Sequence, residues 1–395
     1  MTVSPQSDNP NDQPEEIKTG IRSLKELIDL VTGKDDQFRE AGGDAGLAEP
    51  LPFPFLALVG QREMKLALIL TLINPNIGGA LLIGPRGTGK TTAVRSLLDL
   101  LPQVAHSTCF YGCLPEDVEA GGIDAVCPDC ARKFAEGQPL SVEDQVRLVE
   151  LPLNSALEDV IGALDERALV HERLRLRRGI LGHADRNILY VDEANLLANE
   201  IVDAILDAAA QGSYTVRRGA SSATYRSRFT LIGSMNPEEG RLRPQIMDRF
   251  GLRILVRGLD DPADRLEAYR RVQAYLANPR QTTARYAEGT TLAREEIQAA
   301  RQNLSSIHLP DSIAALGIVL IQNLKIDSLR ADITLFEAAR ALAAADNRVE
   351  VSIEDLKTIA PMALRMRRSQ YMRDYVHQQA EEEQEIQAVF DEVAA

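Results

Sequence analysis

Ala80-Leu-Leu-Ile-Gly84-Pro85-Arg86-Gly87-Thr88-Gly89-Lys90-Thr91-Thr92 is the stretch from which the rest of the chain can be read. Ala80 to Ile83 is an apolar run of strand length, and Ala93 to Leu98 carries a helical pattern. Between them stands G-x-x-x-x-G-K-T, whose glycines permit backbone angles that a side chain would forbid. At a helix N-terminus the N–H groups of such a loop turn inward around a phosphate, where the helix dipole favours negative charge. Lys90 is then expected to reach the β- and γ-phosphates, and the Thr91 hydroxyl to ligate Mg²⁺. A Gly-rich turn can match by chance, but the strand before and the helix after are the context the motif requires. Residues 84–92, from Gly84 through Pro85, Arg86, Gly87, Thr88, Gly89, Lys90 and Thr91 to Thr92, are therefore expected to hold a nucleoside triphosphate.

Downstream, Ile188-Leu-Tyr-Val reads as a second buried strand with Asp192 and Glu193 at its C-terminal end, the ligand end of a parallel sheet. Asp192 is expected in the Mg²⁺ shell and Glu193 as the base for the attacking water, since hydrolysis needs one beside the γ-phosphate. Acids at a strand end can also be helix N-caps, and Ala194-Asn-Leu-Leu could be such a helix. A third strand, Thr230 to Met235, ends in Asn236, whose amide could hydrogen-bond the water or the phosphate, or simply form an Asn-Pro turn. Upstream, Val59-Gly60-Gln61 before a helical stretch, Glu63 to Leu72, is a candidate adenine contact. Arg249, in Leu242-Arg-Pro-Gln-Ile-Met-Asp-Arg-Phe250, is a candidate arginine finger, a planar cation that stabilises transition-state charge. Arg330, in Ser328-Leu-Arg-Ala-Asp332, could reach the phosphates from a helical lid.

All four cysteines fall in one segment with the spacing C-x3-C-x13-C-x2-C: Cys109, Cys113, Cys127 and Cys130. Two knuckles of this kind supply four thiolates to a tetrahedral, structural Zn²⁺. Thiolate binding to such an ion, worth about 10–16 kcal/mol in zinc-finger peptides, could fold the insert locally. The alternative is four accidental or buried thiols. Four cysteines in 395 residues do not make a disulfide scaffold, and a reducing, cytoplasmic compartment is expected.

The length suits two or three domains. Hydrophobic content of 45% and charged content of 26% are ordinary for a soluble globular protein. A net charge of −14 argues against nonspecific nucleic-acid binding, which needs clustered Lys and Arg. No apolar run approaches a bilayer span, and the polar, acidic stretch 1–20 does not read as a signal peptide.

Residues 1–50 read as a disordered or linker extension, with a short helix over 21–31. Residues 51–272 read as an α/β nucleotide-binding core that carries the Cys-rich insert, 106–135, and a β-hairpin, 213–229. Gly137 to Leu148 has some helical character, and Val149 to Leu153 reads as a strand. Asp159 to Leu176 reads as helical, with a basic end at Arg173, Arg175, Arg177 and Arg178 that is either a solvated face or a contact with a neighbouring subunit's ATP. Residues 273–290 read as a linker and 291–395 as a helical domain ending in an acidic tail. Ser352 with Asp355 resembles a capping box.

With these parts assembled, the chain resembles the AAA+ ATPases, and specifically the I subunits of magnesium chelatase (the BchI/ChlI type), over about Phe53 to Arg367. Besides the phosphate loop and Ile188-Leu-Tyr-Val-Asp-Glu-Ala-Asn-Leu-Leu197, the carrying motifs are Gly233-Ser-Met-Asn-Pro-Glu-Glu-Gly240, Leu242-Arg-Pro-Gln245, Asp248-Arg-Phe-Gly251 and Leu329-Arg-Ala-Asp332. The resemblance implies a P-loop α/β domain with a parallel sheet followed by an all-α lid, assembled in a homo-oligomeric ring, a hexamer in the family. It implies ATP and Mg²⁺ as cofactors, with Lys90 and Thr91 as Walker A, and Asp192 and Glu193 as Walker B. Asn236 matches sensor 1, Arg249 a finger acting in trans, and Arg330 sensor 2. The stretch around 151–161 resembles the helix-2 insert, and 213–229 the pre-sensor hairpin. D-type and H-type chelatase subunits are the implied partners, and insertion of Mg²⁺ into protoporphyrin IX for chlorophyll or bacteriochlorophyll the implied reaction. The Cys-bearing insert, the N-terminal extension, Asn154-Ser-Ala-Leu-Glu-Asp159 and Ala194 depart from the family pattern. They leave open a cobalt-chelatase ATPase or a MoxR-like protein remodeller, and a nucleic-acid motor is a third class that the acidic charge opposes.

Overall fold

The strands are β1 (Ala80–Ile83), β2 (Gln103–Ser107), β3 (Ser141–Gln145), β4 (Leu148–Leu151), β5 (Ile188–Val191), β6 (Ser213–Arg218), β7 (Ser221–Arg226), β8 (Thr230–Met235) and β9 (Leu252–Leu255). Five of them form one all-parallel sheet in the order β4-β5-β8-β1-β9. Every residue of β1, β5 and β8 is buried, as expected of strands covered by helices on both faces. The computed structural model describes residues 51–163, 177–218, 221–240 and 242–368, with Glu383, Ile386 and Phe390. The readings made above for residues 1–50, for Arg173 and Arg175, and for the tail from 371 lie outside the described residues, apart from those last three.

Two cores flank the sheet. One face packs against the Arg62–Ile73 helix and then the C-terminal helices, through residues such as Leu68, Leu82, Ile254, Leu335 and Ile359. The other packs against the Asn199–Gln211 helix and the antiparallel β6–β7 pair, through Leu189, Ile205, Val216 and Tyr225. The register Ile83↔Met235 and Val191↔Gly233 sets the C-terminal ends of β1, β5 and β8 side by side. Three separate segments of sequence therefore deliver their following residues to one edge.

Several sequence expectations need correction. Ser141–Gln145 is not helical; it is β3, paired antiparallel with β2, so the cysteine segment leaves and returns through one two-stranded ladder. The expected linker over 273–290 is absent: the Pro262–Ala277 and Pro279–Asn303 helices run through it with only Asn278 between. The misreading has a physical source. Asn278 Oδ1 accepts from the Gln281 N–H at 3.0 Å and Pro279 sits at the first helical position, so a dipeptide that often marks a loop here starts a helix. That helix packs on the Arg62–Ile73 helix, which makes it part of the core rather than a tether. The Leu329–Ala345 and Ile353–Leu364 helices pack on each other and on the same side of the sheet. Among the described residues no helix is long and apolar enough to cross a membrane.

Candidate functional site

The loop after β1 begins where the chain passes close to the end of β9. A Cβ on Gly84 would lie 2.1 Å from the Val256 carbonyl oxygen, so only glycine allows this exit. Gly89 has φ +85° with open space beside it, and it leads into the helix that begins at Lys90. The resulting cradle is a cleft of about 200 Å³ lined by residues 86–92 of the loop together with Asp192, Glu193, Ser234 and Asn236. Lys90 Nζ donates to the Gly84 and Pro85 carbonyls at 2.7 and 2.8 Å, which folds the side chain back over its own loop. Burial pulls Lys90 below the usual lysine range, and the carboxylates of Asp192, Glu193 and Glu239 oppose that pull.

Asp192 is the most constrained acid of the site. Thr91 Oγ1 donates to its Oδ2 at 3.1 Å, and Tyr190 Oη donates to its Oδ1 at 2.8 Å. Ser234 Oγ, from the neighbouring β8, also donates to Oδ1. A hydroxyl and a carboxylate oxygen at the foot of a phosphate loop are hard donors of the kind Mg²⁺ takes when it bridges to a phosphate, so the residues fit MgATP. The Tyr190 hydroxyl is held protonated chiefly by burial, which raises its pKa, so it stays a donor.

Glu193 stands in the left-handed region, φ 48° and ψ 51°, with its N–H donating to Ser234 Oγ at 3.0 Å. A non-glycine residue there carries strain, and such strain concentrates at functional sites. Its carboxylate faces Arg86 at 3.6 Å. Arg86 also pairs with Glu239, which in turn accepts from Asn236 Nδ2 at 2.9 Å. That amide and the Arg86 guanidinium hold the Glu239 carboxyl below its ordinary range. Asn236 Oδ1 accepts from the Glu238 N–H at 3.2 Å, so the Asn-Pro turn forms as well, and the amide is buried at the cleft. Tyr190, Ser234 and Glu239 were missed by the sequence reading. Only their position beside Asp192 and Asn236 in sequence could have signalled them.

A second cleft, of about 400 Å³, opens from the other side of the loop, between Val59, Gln61, Met64, Gly89, Thr92 and Leu259. Apolar lining next to Thr88 and Thr92 suits an adenine base. Gly60 lies beside it rather than in its wall, at φ +61° and packed against Leu259. Arg265, on the Pro262–Ala277 helix, is a cation in this wall that no motif announced.

Two arginines lie elsewhere. Arg249 ends the Pro244–Arg249 helix, just before β9, and its side chain has no hydrogen bond or ion pair among the described residues. Arg330 donates to the Asp248 carbonyl and carboxylate at 3.1 and 3.2 Å. Both therefore sit at the N-terminal end of β9, whereas the phosphate loop follows the C-terminal end of the adjacent, in-register β1. The expectation that Arg330 reaches its own chain's phosphates is corrected: about 10 Å of strand separates the two ends. The lid packs beside the sheet, not over the loop, and this placement turns Arg330 away.

The four cysteines, by contrast, converge. Their sulfurs all lie within 4.8 Å of one another, and all are free thiols.

Residues 77–219 match the AAA domain family and residues 319–389 the AAA lid domain family. A magnesium-chelatase subunit ChlI homolog from Methanocaldococcus jannaschii is 42% identical, over 81% of this chain and 87% of its own length. The magnesium-chelatase 38 kDa subunit of Acidiphilium rubrum is 40% identical over 87% and 98% of the two chains. Chloroplastic magnesium-chelatase subunit ChlI-2 of Arabidopsis thaliana is 41% identical over 80% and 75%. With its phosphate loop, acid-bearing strand end and helical lid in these relations, the chain belongs to the magnesium-chelatase I subunits, a family of AAA ATPases.

Proposed function

We propose that this chain is the motor subunit of a metal chelatase: a cytoplasmic ATPase that works as a homo-oligomeric ring, with D-type and H-type partner subunits, to drive Mg²⁺ into protoporphyrin IX for chlorophyll or bacteriochlorophyll synthesis. The supporting observation is the split of the hydrolytic machinery. Lys90, Thr91, Asp192, Glu193 and Asn236 share one cleft. Arg249, the cation such a site needs opposite them, ends a helix at the other end of the sheet. A second copy of the chain is the natural source of the missing charge, which argues for a ring. Six copies follow from the family alone. The cofactors of this reading are ATP and Mg²⁺, with Zn²⁺ in the four-thiol cluster as a structural ion, and the Mg²⁺ that enters the porphyrin is substrate.

MgATP supplies the phosphoanhydride whose cleavage drives the motor. Lys90 would hold phosphate oxygens in place of its two carbonyl acceptors, and Thr91 and Asp192 would hold the ion. Glu193, held upright by Ser234, orients the attacking water and takes its proton. Arg86 covers that carboxylate in the resting site, so its withdrawal precedes water activation. Asn236 turns its amide from Glu239 toward the water or the γ-phosphate.

The test is reconstitution. The chain is mixed with candidate D and H subunits, protoporphyrin IX, Mg²⁺ and ATP, and metalloporphyrin fluorescence is followed. Formation of the magnesium porphyrin only with all three subunits and ATP is expected. Normal ATP turnover without a magnesium porphyrin would sink the proposal, and product formation with Co²⁺ alone would move the chain to the cobalt chelatases.

A further inference from the structure

We propose that Cys109, Cys113, Cys127 and Cys130 bind one Zn²⁺ as four thiolates, and that this ion braces the β6–β7 hairpin from outside the ATP site. The geometry selects a single ion. Sulfurs ~2.3 Å from a tetrahedral Zn²⁺ stand ~3.8 Å apart, and the four Sγ atoms lie within 4.8 Å of one another. In an iron–sulfur cluster the thiolates bind different irons and are spread further apart. The surroundings fit charged sulfur. The N–H groups of Tyr111 and Cys113 donate to Cys109 Sγ, and that of Cys127 to Cys113 Sγ, each at 3.3 Å. Cys113 and Cys130 are buried, 4% and 0% exposed. Four protein sulfurs leave no open coordination position, so the ion is structural, and binding releases the thiol protons without any change of oxidation state.

The segment also lacks the means to hold itself. Between the end of β2 and the start of β3 the cysteines cluster with only Val118, Val126 and Leu140, and Leu114 is a further fully buried apolar side chain. So few apolar side chains cannot offset the ordering of a segment this long. An ion cross-linking the two knuckles supplies what the core does not.

What the ion holds in place is the 110–112 knuckle tip, and that tip grips the hairpin. Tyr111 stacks on Tyr225 of β7, with centroids 5.6 Å apart and rings inclined by 21°, and Phe110 meets the same ring edge-on at 5.7 Å. The Arg226 N–H donates to the Tyr111 carbonyl at 3.0 Å. Arg228, which joins the hairpin to β8, donates to the Gly112 carbonyl at 2.7 Å and to Asp117 at 3.1 Å. Its own N–H donates to Asp185, just before β5. The zinc knuckle is thus wedged between the hairpin base and the two strands whose ends carry Glu193 and Asn236. It touches neither side chain.

The test uses the full chain. Elemental analysis is expected to give about one Zn²⁺ per chain, lost in the Cys127→Ser/Cys130→Ser variant. Stripping the ion with a mercurial thiol reagent is expected to raise hydrogen exchange at 213–226 by about tenfold or more, with exchange at 90–95 and MgATP binding within about twofold of the untreated chain. Tyr111→Ala keeps the cysteines intact; it should retain zinc yet loosen the same hairpin. A wild-type chain without zinc whose four thiols react freely, or one that carries disulfides or coloured iron, overturns the site. Zinc bound with hairpin exchange unmoved by its removal overturns the brace. Metal content and exchange are read on the chain alone, so a failed porphyrin assay leaves both results standing.

Discussion

At the scale of single residues, the site divides side chains that do chemistry from those that hold them. Among the described residues the Glu193 carboxylate pairs with Arg86, and its left-handed backbone is fixed by the Ser234 hydroxyl. Glu193→Gln removes the base and leaves the cradle intact. ATP turnover should fall by about 10²–10⁴-fold while the Kd for MgATP, measured by calorimetry, stays near that of the wild type; a variant that loses binding in step would show that Glu193 holds nucleotide. Ser234→Ala is the subtler change. It frees Asp192 Oδ1 of one donor and the Glu193 N–H of its acceptor. The cost should be about tenfold in kcat, near 1.4 kcal/mol and at the upper end of the range for a typical hydrogen bond, with little change in KM. An unaltered kcat would mean that Glu193 is positioned by its backbone alone. Asp192 and Glu193 were legible in the sequence because their spacing after a four-residue apolar strand is a motif. Ser234 was not, because its role exists only once β8 lies beside β5.

At the scale of elements, what could be read followed how local the determining contacts were. The Lys90 loop, the acid-bearing strand and the 213–226 hairpin are each specified by a few neighbouring residues. Whether 278–290 is linker or helix depends on whether Asn278 turns its side chain to cap, and that in turn on a packing partner far away in sequence. Arg330 shows the same limit: its motif fixes a helix start, but the docking of the lid decides what its side chain meets. The Ile353–Leu364 helix is a case where local sequence sufficed. Ser352 and Asp355 form the reciprocal cap, and Arg348 grips Asp355 with both Nη atoms, at 2.8 and 2.6 Å. Burial pushes the Asp355 carboxyl up, but the bonds from Arg348 and Ser352 outweigh it and leave its pKa below the ordinary carboxylate value. A lowered folded-state pKa means stability present above the unfolded value of ~3.9 and lost as pH falls through the folded one. Asp355→Asn should therefore cost about 1–3 kcal/mol in denaturant unfolding at pH 7. The gap between the two proteins should narrow as pH falls below ~4. A pH-independent gap would assign the loss to packing.

At the scale of the whole molecule, the two ends of the sheet carry complementary halves of one site. The loop end gathers Lys90, Thr91, Asp192 and Glu193. The other end presents Arg249, without a partner among the described residues, beside Asp248, where Arg330 and the buried Arg367 both dock. No rearrangement inside one chain closes about 10 Å of strand, since the intervening β1 and β9 are packed on both faces. A heterologous contact, loop end of one copy against Arg249 end of the next, closes into a ring when its rotation permits. Mixing tests this directly. Lys90→Ala chains cannot hold nucleotide productively, and Arg249→Ala chains should lose about 10³-fold or more in turnover if the finger acts. Each variant alone should be inactive. Mixed in equal amounts and allowed to exchange subunits, they form some interfaces that pair an intact loop with an intact Arg249. For random assembly these are about one interface in four, so about a quarter of wild-type ATPase should return. Arg249 acting within its own chain predicts no recovery at any mixing ratio, because every chain would then carry one defect at its own site.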